Sequence, residues 1–410
     1  MKTRVTGRWT GCWRSRRSWP SRCIFETADL LNLEVDLLFF DTTSTYFERD
    51  ESDPDVVDEN GEVIRPAFRV HGRSKDRRPD LPQVVIGMAV TRDGIPIRVW
   101  CWPGNASDTE LIRQAKDDLR SWKLSRVVWV ADRGFQSREN RRYLQRAGGH
   151  YILAEKIRPD DKDAQAALAR AGDYHTVAEN LRVKHVVLDS GTMRDRFVIC
   201  LNPEEARRDK AVRDEQIAQL EQAIAASDTL TAAQRHKLHA RLRAKPELNR
   251  YVRATKAGRL RINKTAISAE ERLDGKFLLR CSDPTLTAED IALGYKQLLQ
   301  VERAWRDMKT ILDLRPVHHR KEDRIRAHVI LCWLALLLIR IAETKASETW
   351  RNLRDELQRI HVGTFTGPAG TSRQRTELAA HHQMILRALG VEQPPLFLQL
   401  AAAHQAKPAA

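Results

Sequence analysis

Two short apolar runs in this sequence each lead into an aspartate: LLFFDTTST carries Asp41, and RVVWVADRGF carries Asp132. Runs of this length, rich in Val, Leu and Phe, read as buried strands. A lone aspartate after a strand usually serves as a turn or cap residue, because its carboxylate bonds nearby backbone N–H groups. Its other use is chemical. A strand end is rigid, and a carboxylate fixed there beside a cleft can hold a metal ion. The first strand is therefore expected to end on Asp41, and a later one on Asp132.

The text around these runs points to an α/β fold. QVVIGMAVTRDGIPIRVWCWPG reads as a hairpin turning at Arg92-Asp93-Gly94, since Asp-Gly is a strong turn signal. SDTELIRQAKDDLRSW reads as a helix with Ser107 as N-cap. The strand ending at Asp132 follows, then a short helix stopped by Gly148-Gly149, then the strand HYILAEKI. Three strands and then alternating helices and strands predict a mixed sheet covered by helices.

Residues 158–283 break that rhythm. LRVKHVVLDSGTMRDRFVICLN predicts a hairpin, Glu204 to about Lys245 a charged helical hairpin, and GRLRIN and GKFLLRCSD further strands. This stretch is expected to be an insertion. His236 and His239 share a helix face within it, but no third ligand is evident nearby and the surroundings are cationic. They are read as surface residues.

A third carboxylate lies in TAEDIALGYKQLLQVERAWRDMKTILDLRP. Thr287 and Asp290 give a capping-box start, Pro316 a stop, and the pattern between them predicts about seven continuous helical turns. Tyr295, Glu302 and Lys309 recur every seven residues, which places them on one helix stripe, with Arg306 beside it. Leu298, Leu299 and Trp305 give the neighbouring faces apolar surface. Asp41, Asp132 and Glu302 supply hard oxygen donors suited to Mg²⁺ or Mn²⁺. Two such ions can activate a water or a 3′-hydroxyl and steady the leaving oxygen at a phosphodiester.

Charge points to the same substrate class. The 410 residues contain 70 Lys+Arg against 55 Asp+Glu, a formal charge of +15, which favours a polyanionic partner such as nucleic acid. The six cysteines form no CxxC pair, so no zinc knuckle or dithiol site is expected, and the usage fits a reducing cytoplasm. The apolar run Val329–Ile339 is too short to span a bilayer and is read as a core helix, with His328 at its start structural. No membrane association is expected. The first 23 residues, crowded with Arg, Trp and Ser, shift abruptly in composition near Ile24. They read either as a basic DNA-binding arm or, preferably, as non-native coding sequence.

At this point the motifs converge. DTTSTYFE, HGRSKDRRPDLPQVVIGMAV, WPGNASD, ADRGF and YKQLLQVERAWRDMKTILDLRPVHHRKEDRIRAHVILCWLALLL resemble the DDE transposases of bacterial insertion sequences. The similarity is to the "IS-four" branch, whose RNase H-like domain carries a β-strand insertion before the final glutamate. It runs over roughly residues 25 to 400. The resemblance implies an RNase H-like core in 24–157 and 284–345, the insertion at 158–283, a C-terminal helical region at 346–400 and a tail at 401–410. It implies that Asp41, Asp132 and Glu302 are the metal-binding catalytic triad, holding two Mg²⁺ or Mn²⁺ ions. It places Tyr295 and Lys309 close to the element's end DNA. The family's arginine three residues after the tyrosine is Leu298 here, and Arg306 is the candidate replacement. Arg133 and Arg138, flanking the second motif, are candidate phosphate contacts.

The implied partners are double-stranded DNA, as terminal inverted repeats and as target, and a second copy of the chain in the synaptic complex, in the cytoplasm on the nucleoid. Family members usually carry a longer region before the first motif, so this copy is expected to be shortened. Two other readings share the same surface: a DNA-binding remnant without transposition activity, and a stand-alone nuclease without strand transfer. All three predict a strong salt dependence of DNA binding. Fluorescence titrations should show affinity falling linearly in log–log form, by about a thousandfold or more between ~50 and ~200 mM salt if six or more phosphates are contacted. A flat response would mean that the charge does not work through phosphates.

Overall fold

The computed structural model describes residues 36–120, 126–158, 160–189 and 194–402. The expectations for residues 1–35, Cys12 and Cys23 among them, for the turn at 190–193 and for 403–410 lie outside the described residues.

Along the chain the elements are β1 (Leu37–Tyr46), β2 (Val56–Val57), β3 (Val63–Arg65), β4 (Gln83–Val90), β5 (Pro96–Pro103), α1 (Asp108–Arg120), β6 (Val128–Ala131), α2 (Arg138–Leu144) and β7 (His150–Glu155). Then come α3 (Lys162–Ala169), β8 (His175–Ala178), β9 (Leu181–Asp189), β10 (Arg194–Leu201), α4 (Pro203–Ile224), α5 (Ala232–Arg243), α6 (Pro246–Asn249), β11 (Val252–Ala254), β12 (Leu260–Ile262), α7 (Lys264–Glu271) and β13 (Lys276–Cys281). The last part holds α8 (Ala288–Lys296), α9 (Leu299–Thr310), α10 (Glu322–Ala346), α11 (Trp350–Leu357), β14 (Val362–Gly367), β15 (Gly370–Arg375), α12 (Ala380–Leu389) and β16 (Phe397–Ala402). These elements form a mixed α/β fold in two compact units. One is Met1–Ser107, Leu119–Leu124 and Leu299–Ala410; the other is Asp108–Asp118 and Ser125–Leu298.

In the first unit β1, β4 and β5 form an antiparallel meander. Asp41 lies opposite Met88, Thr43 opposite Ile86, and Met88 opposite Val99. The hairpin turns where the sequence puts it: Gly94 has φ +77, a conformation glycine adopts without a Cβ penalty, and its N–H reaches the Thr91 carbonyl. β1 does not end on Asp41. Asp41 is its fifth residue of ten, and the strand continues through the buried hydroxyls Thr42, Thr43, Ser44 and Thr45. Three of the four are β-branched and extend readily, and each hydroxyl has a partner, described below. β6, by contrast, stops at Ala131, and Asp132 is the next residue.

Helix α9 packs on β1 and β4, and α10 packs on β5. α10 is the one helix among the described residues long and apolar enough to cross a membrane, and half of its most apolar stretch is buried. Its Trp333 is buried and donates from Nε1 to the Pro96 carbonyl at 3.2 Å. Its buried Arg340 bonds Asp307 of α9 at 2.5 Å and Glu343 at 2.5 Å, and Glu343 also accepts from Arg303 of α9 at 3.0 Å. The two helices are thus locked by a desolvated charge network. β14, β15 and β16 form a small antiparallel sheet. β16 extends into the stretch expected to be a tail, because Ala401 pairs with Thr371.

In the second unit the strand order is β6-β7-β13-β10-β9-β8. β6 and β7 are parallel, and the remaining neighbours are antiparallel. The hairpin expected over 181–202 forms, with Phe197 opposite Val186. It continues the sheet outward from β7 through β13, so residues 158–283 contribute strands to this unit's sheet and are not a body set apart from it. Ala164, Ala167, Val186, Phe197, Ile199 and Leu278 fill the core on one side. The charged helical hairpin α4–α5 has a smaller core of its own, around Leu220, Leu242 and Tyr251. Arg213, buried on α4, forks onto Asp274 at 2.5 and 2.7 Å and ties this hairpin to the turn before β13.

Removing Arg340 leaves the mostly buried Asp307 without its cation and the mostly buried Glu343 with only the half-exposed Arg303. Arg340→Ala is expected to destabilise the protein by about 3–5 kcal/mol, read from urea unfolding. A loss under about 1 kcal/mol would mean that the network carries little of the α9–α10 packing.

Candidate active site

The hydroxyl run of β1 organises the surroundings of Asp41. Alternate residues of a strand face opposite sides, so Thr42 and Ser44 share one face while Asp41, Thr43 and Thr45 share the other. On the first face, Lys75 donates its backbone N–H to Ser44 Oγ at 2.8 Å and its Nζ to the Thr42 carbonyl at 2.9 Å and to Thr42 Oγ1. On the second, Lys309 Nζ donates to Thr43 Oγ1 at 2.6 Å, and Thr45 Oγ1 donates to the Leu314 carbonyl at 3.4 Å. Buried hydroxyls without such partners would cost about 1–3 kcal/mol each.

These contacts also orient α9. Lys309 meets Thr43, and Gln300 near the helix start lies against Gly94 in the β4–β5 turn, on the side where β1 begins, so the helix runs with the strand. Seven residues before Lys309, about 10 Å back along the helix on the same side, stands Glu302. Two residues before Thr43, about 7 Å back along the same face of β1, stands Asp41. Glu302 is exposed and Asp41 half-buried. Both carboxylates therefore lie in the same direction from the Lys309–Thr43 bond, within one unit.

Lys309 is not free in this arrangement. Its Nζ also meets Asp76 Oδ1 at 2.6 Å, and Arg315 Nη1 meets the same oxygen at 2.6 Å. Burial presses the Lys309 amine below the usual lysine value; the hydrogen bond and charge of Asp76 oppose this, while Arg315 and Lys75 reinforce it. Lys75, Asp76 and Arg315 were missed by sequence reasoning. Asp76 stands in a basic loop between Lys75 and Arg77, which reads as solvated, and only its motif, HGRSKDRRPDLP, stood out.

The remaining expected carboxylate, Asp132, lies in the second unit. Asp132 follows β6, and its carbonyl accepts from the Phe135 N–H at 3.0 Å in a tight turn. Tyr295 on α8 donates its hydroxyl to Asp132 Oδ1 at 3.1 Å, and its ring lies 5.9 Å from that of Phe277. So the structure joins Tyr295 to Asp132, and Lys309 to the strand of Asp41. It does not keep Tyr295, Glu302 and Lys309 on one helix. The expected seven-turn helix is broken at Gln297–Leu298, where both N–H groups reach back only three residues, to Gly294 and Tyr295. Leu298 is buried after the break, whereas Leu299 is 63% exposed, against the apolar role expected of it.

Arg133, Arg138 and Arg306 are exposed, Arg138 at the start of α2 and Arg306 on α9. Thiol chemistry has no place among the described residues: Cys101, Cys200, Cys281 and Cys332 are buried, and burial pushes their thiols up to about 12.

Among the described residues no three His, Cys, Asp or Glu side chains form a ready cage for a metal ion. The donors nevertheless fit Mg²⁺ or Mn²⁺. Mg²⁺ is commonly held by one or two carboxylates, with water and substrate phosphate completing the shell. Asp132 and Glu302 have no ion-pair partner among the described residues, so neither charge is already spent on an internal cation.

The family described as "Transposase DDE domain" matches residues 66–338. The match takes in well over half of the chain, and the chain belongs to that family. No curated protein matches it. Among solved structures it is similar to a piggyBac transposase synaptic complex with hairpin DNA, determined by cryo-EM, at 8% identity and a TM-score of 0.35. That likeness covers 87% of this chain and 52% of the other, so the chain spans about half the length of that neighbour.

The link from β13 to α8, which delivers Tyr295, is fastened by the buried Asp283. Burial alone would raise its pKa, but hydrogen bonds from Arg126 and from the Thr285 N–H and hydroxyl outweigh it and bring it down to about 2. A carboxyl held below its unfolded value stabilises the fold above that value, and the contribution is lost as pH falls through the folded one. The stability gap between wild type and Asp283→Asn should therefore be constant above about pH 4–5 and close as pH drops toward 2. Urea midpoints across that range test it; a gap that persists at pH 2 would contradict the assignment.

Proposed function

We propose that the chain is a metal-dependent DNA transposase of the "IS-four" branch with an RNase H-like core, in which Asp41, Asp132 and Glu302 are the catalytic carboxylates. The observation that supports this reading best is the Lys309–Thr43 bond, which holds α9 against the face of β1 that bears Asp41, Glu302 standing on the same helix stripe as Lys309. Family membership supports joining Asp132 to that pair. When bound, Mg²⁺ or Mn²⁺ would make a water or 3′-hydroxyl nucleophilic and neutralise charge on the leaving oxygen.

The chain's own residues supply the frame. Asp41 stands on a central strand, Glu302 on a helix locked by Arg340, and Asp132 in a tight turn under the Tyr295 hydroxyl. The carboxylates hold ions and do not attack phosphorus, so no covalent protein–DNA intermediate forms. Water hydrolyses the phosphodiester at the element's end, and the freed 3′-OH then attacks a target phosphodiester, displacing the target strand's 3′-oxygen as a new 3′-hydroxyl. The exposed Arg133, Arg138 and Arg306 contact phosphates, with Tyr295 and Lys309 close to the end DNA. Two chains hold two ends in the synaptic complex, in the cytoplasm on the nucleoid.

The test is Mg²⁺-dependent cutting and joining of labelled DNA with and without the flanking inverted repeat. Wild type is expected to cut at the repeat. Asp41→Ala, Asp132→Ala and Glu302→Ala should each lower the rate at least about a thousandfold, as loss of a member of a concerted catalytic unit does, while still binding DNA. Cutting that ignores the repeat would favour the nuclease reading. A folded wild type that binds DNA and never cuts would favour the remnant. Full activity in any of the three variants would remove that residue from the site.

A further inference from the structure

We propose that Asp76 is a positioning residue for this active site: by gathering Lys309 and Arg315 onto one carboxylate oxygen it sets α9 on β1, and so sets Glu302 relative to Asp41. This rests on the function proposed above.

The geometry is specific. The Asp76 side chain is 4% exposed, and both cations meet its Oδ1 at 2.6 Å. Its Oδ2 is buried with no hydrogen-bond partner. An orphaned carboxylate oxygen is costly to bury, and two cations on the other oxygen offset that cost. The loop is shaped for the purpose. Ser74 Oγ accepts from the backbone N–H groups of Asp76 at 3.2 Å and Arg78 at 3.0 Å, and Arg77 takes a left-handed φ of 58, a conformation non-glycine residues avoid. Lys75, one residue earlier, is stitched to Ser44 and Thr42.

Asp76 therefore ties its own loop to the end of α9 and the residues just after it, and through Lys309 to the hydroxyl run of β1. Lys309 is the shared element, since one ammonium bonds both Thr43 and Asp76. Without Asp76, Lys309 would keep a single neutral partner in a half-buried place beside Arg315. A buried ion pair is weak evidence for stability as such. Its effect here falls on the register of the helix that carries a metal ligand.

The experiment compares wild type with Asp76→Asn, which keeps the shape and removes the charge. Mn²⁺ binding to the DNA-free chain is read by electron paramagnetic resonance, and cleavage by single-turnover kinetics at varied DNA concentration. Losing an outer support of a metal ligand costs about 10–100-fold in affinity or activity. Asp76→Asn is expected to bind Mn²⁺ weaker by that factor and to cut slower by a similar one, with the half-saturating DNA concentration unchanged. Wild-type Mn²⁺ affinity in the folded variant would overturn the proposal.

If Asp76→Asn does not fold, Arg315→Gln, which leaves the Asp76–Lys309 pair, decides. Weaker Mn²⁺ binding supports the role, and wild-type affinity overturns it. A wild type that binds Mn²⁺ but cuts no DNA would sink the proposed function while the metal measurement still judges Asp76. A wild type that binds no Mn²⁺ would overturn both.

Discussion

Four hydroxyl side chains buried in the middle of β1 are the constraint on which the first unit depends. Thr42, Thr43, Ser44 and Thr45 are each 5% exposed or less, in a strand whose other half is Leu and Phe. Buried polar groups must find partners, and here the partners come from far along the chain. Lys75 serves one face, and Lys309 and the Leu314 carbonyl serve the other. Satisfying those groups brings a basic loop and a late helix onto the strand that carries Asp41. Packing, polar satisfaction and placement of the site are one problem with one solution.

That solution extends outward through charge. Lys309 is itself half-buried and needs an anion, which Asp76 provides together with a seat for Arg315. The far side of α9 is held by Asp307 and Arg340. Glu302 projects from a helix pinned on both sides, while Asp41 sits on a strand flanked by hydrogen-bonded neighbours. The role proposed for this carboxylate pair, holding metal ions at a phosphodiester, calls for that kind of rigidity. The second unit does the same for Asp132 by simpler means, a tight turn and the Tyr295 hydroxyl.

Much of this was legible in the sequence, and the failures are instructive. The β4–β5 hairpin, the Thr287 capping box, the charged helical hairpin and the strand in GKFLLRCSD rest on local signals, and they form. Asp41 was misplaced at a strand end because TTST looks polar; only its distant partners make it a buried continuation. The single long helix failed at Gln297–Leu298 because a heptad count cannot register a break that leaves the apolar spacing nearly intact. Asp76 was invisible because its meaning lies in Lys309 and Arg315, more than two hundred residues away. Local chemistry can be read from a sequence, but long-range pairing of charges cannot.

The claim at the centre is that Asp41, Asp132 and Glu302 serve one metal site despite their separation in sequence. The direct measurement replaces Mg²⁺ with Fe²⁺ in the DNA-bound chain and maps where locally generated hydroxyl radicals cut the polypeptide. Cuts clustering near residues 41, 132 and 302, suppressed by excess Mg²⁺, are the predicted result. Cuts at only one of these segments, or at none of them, would contradict a shared site.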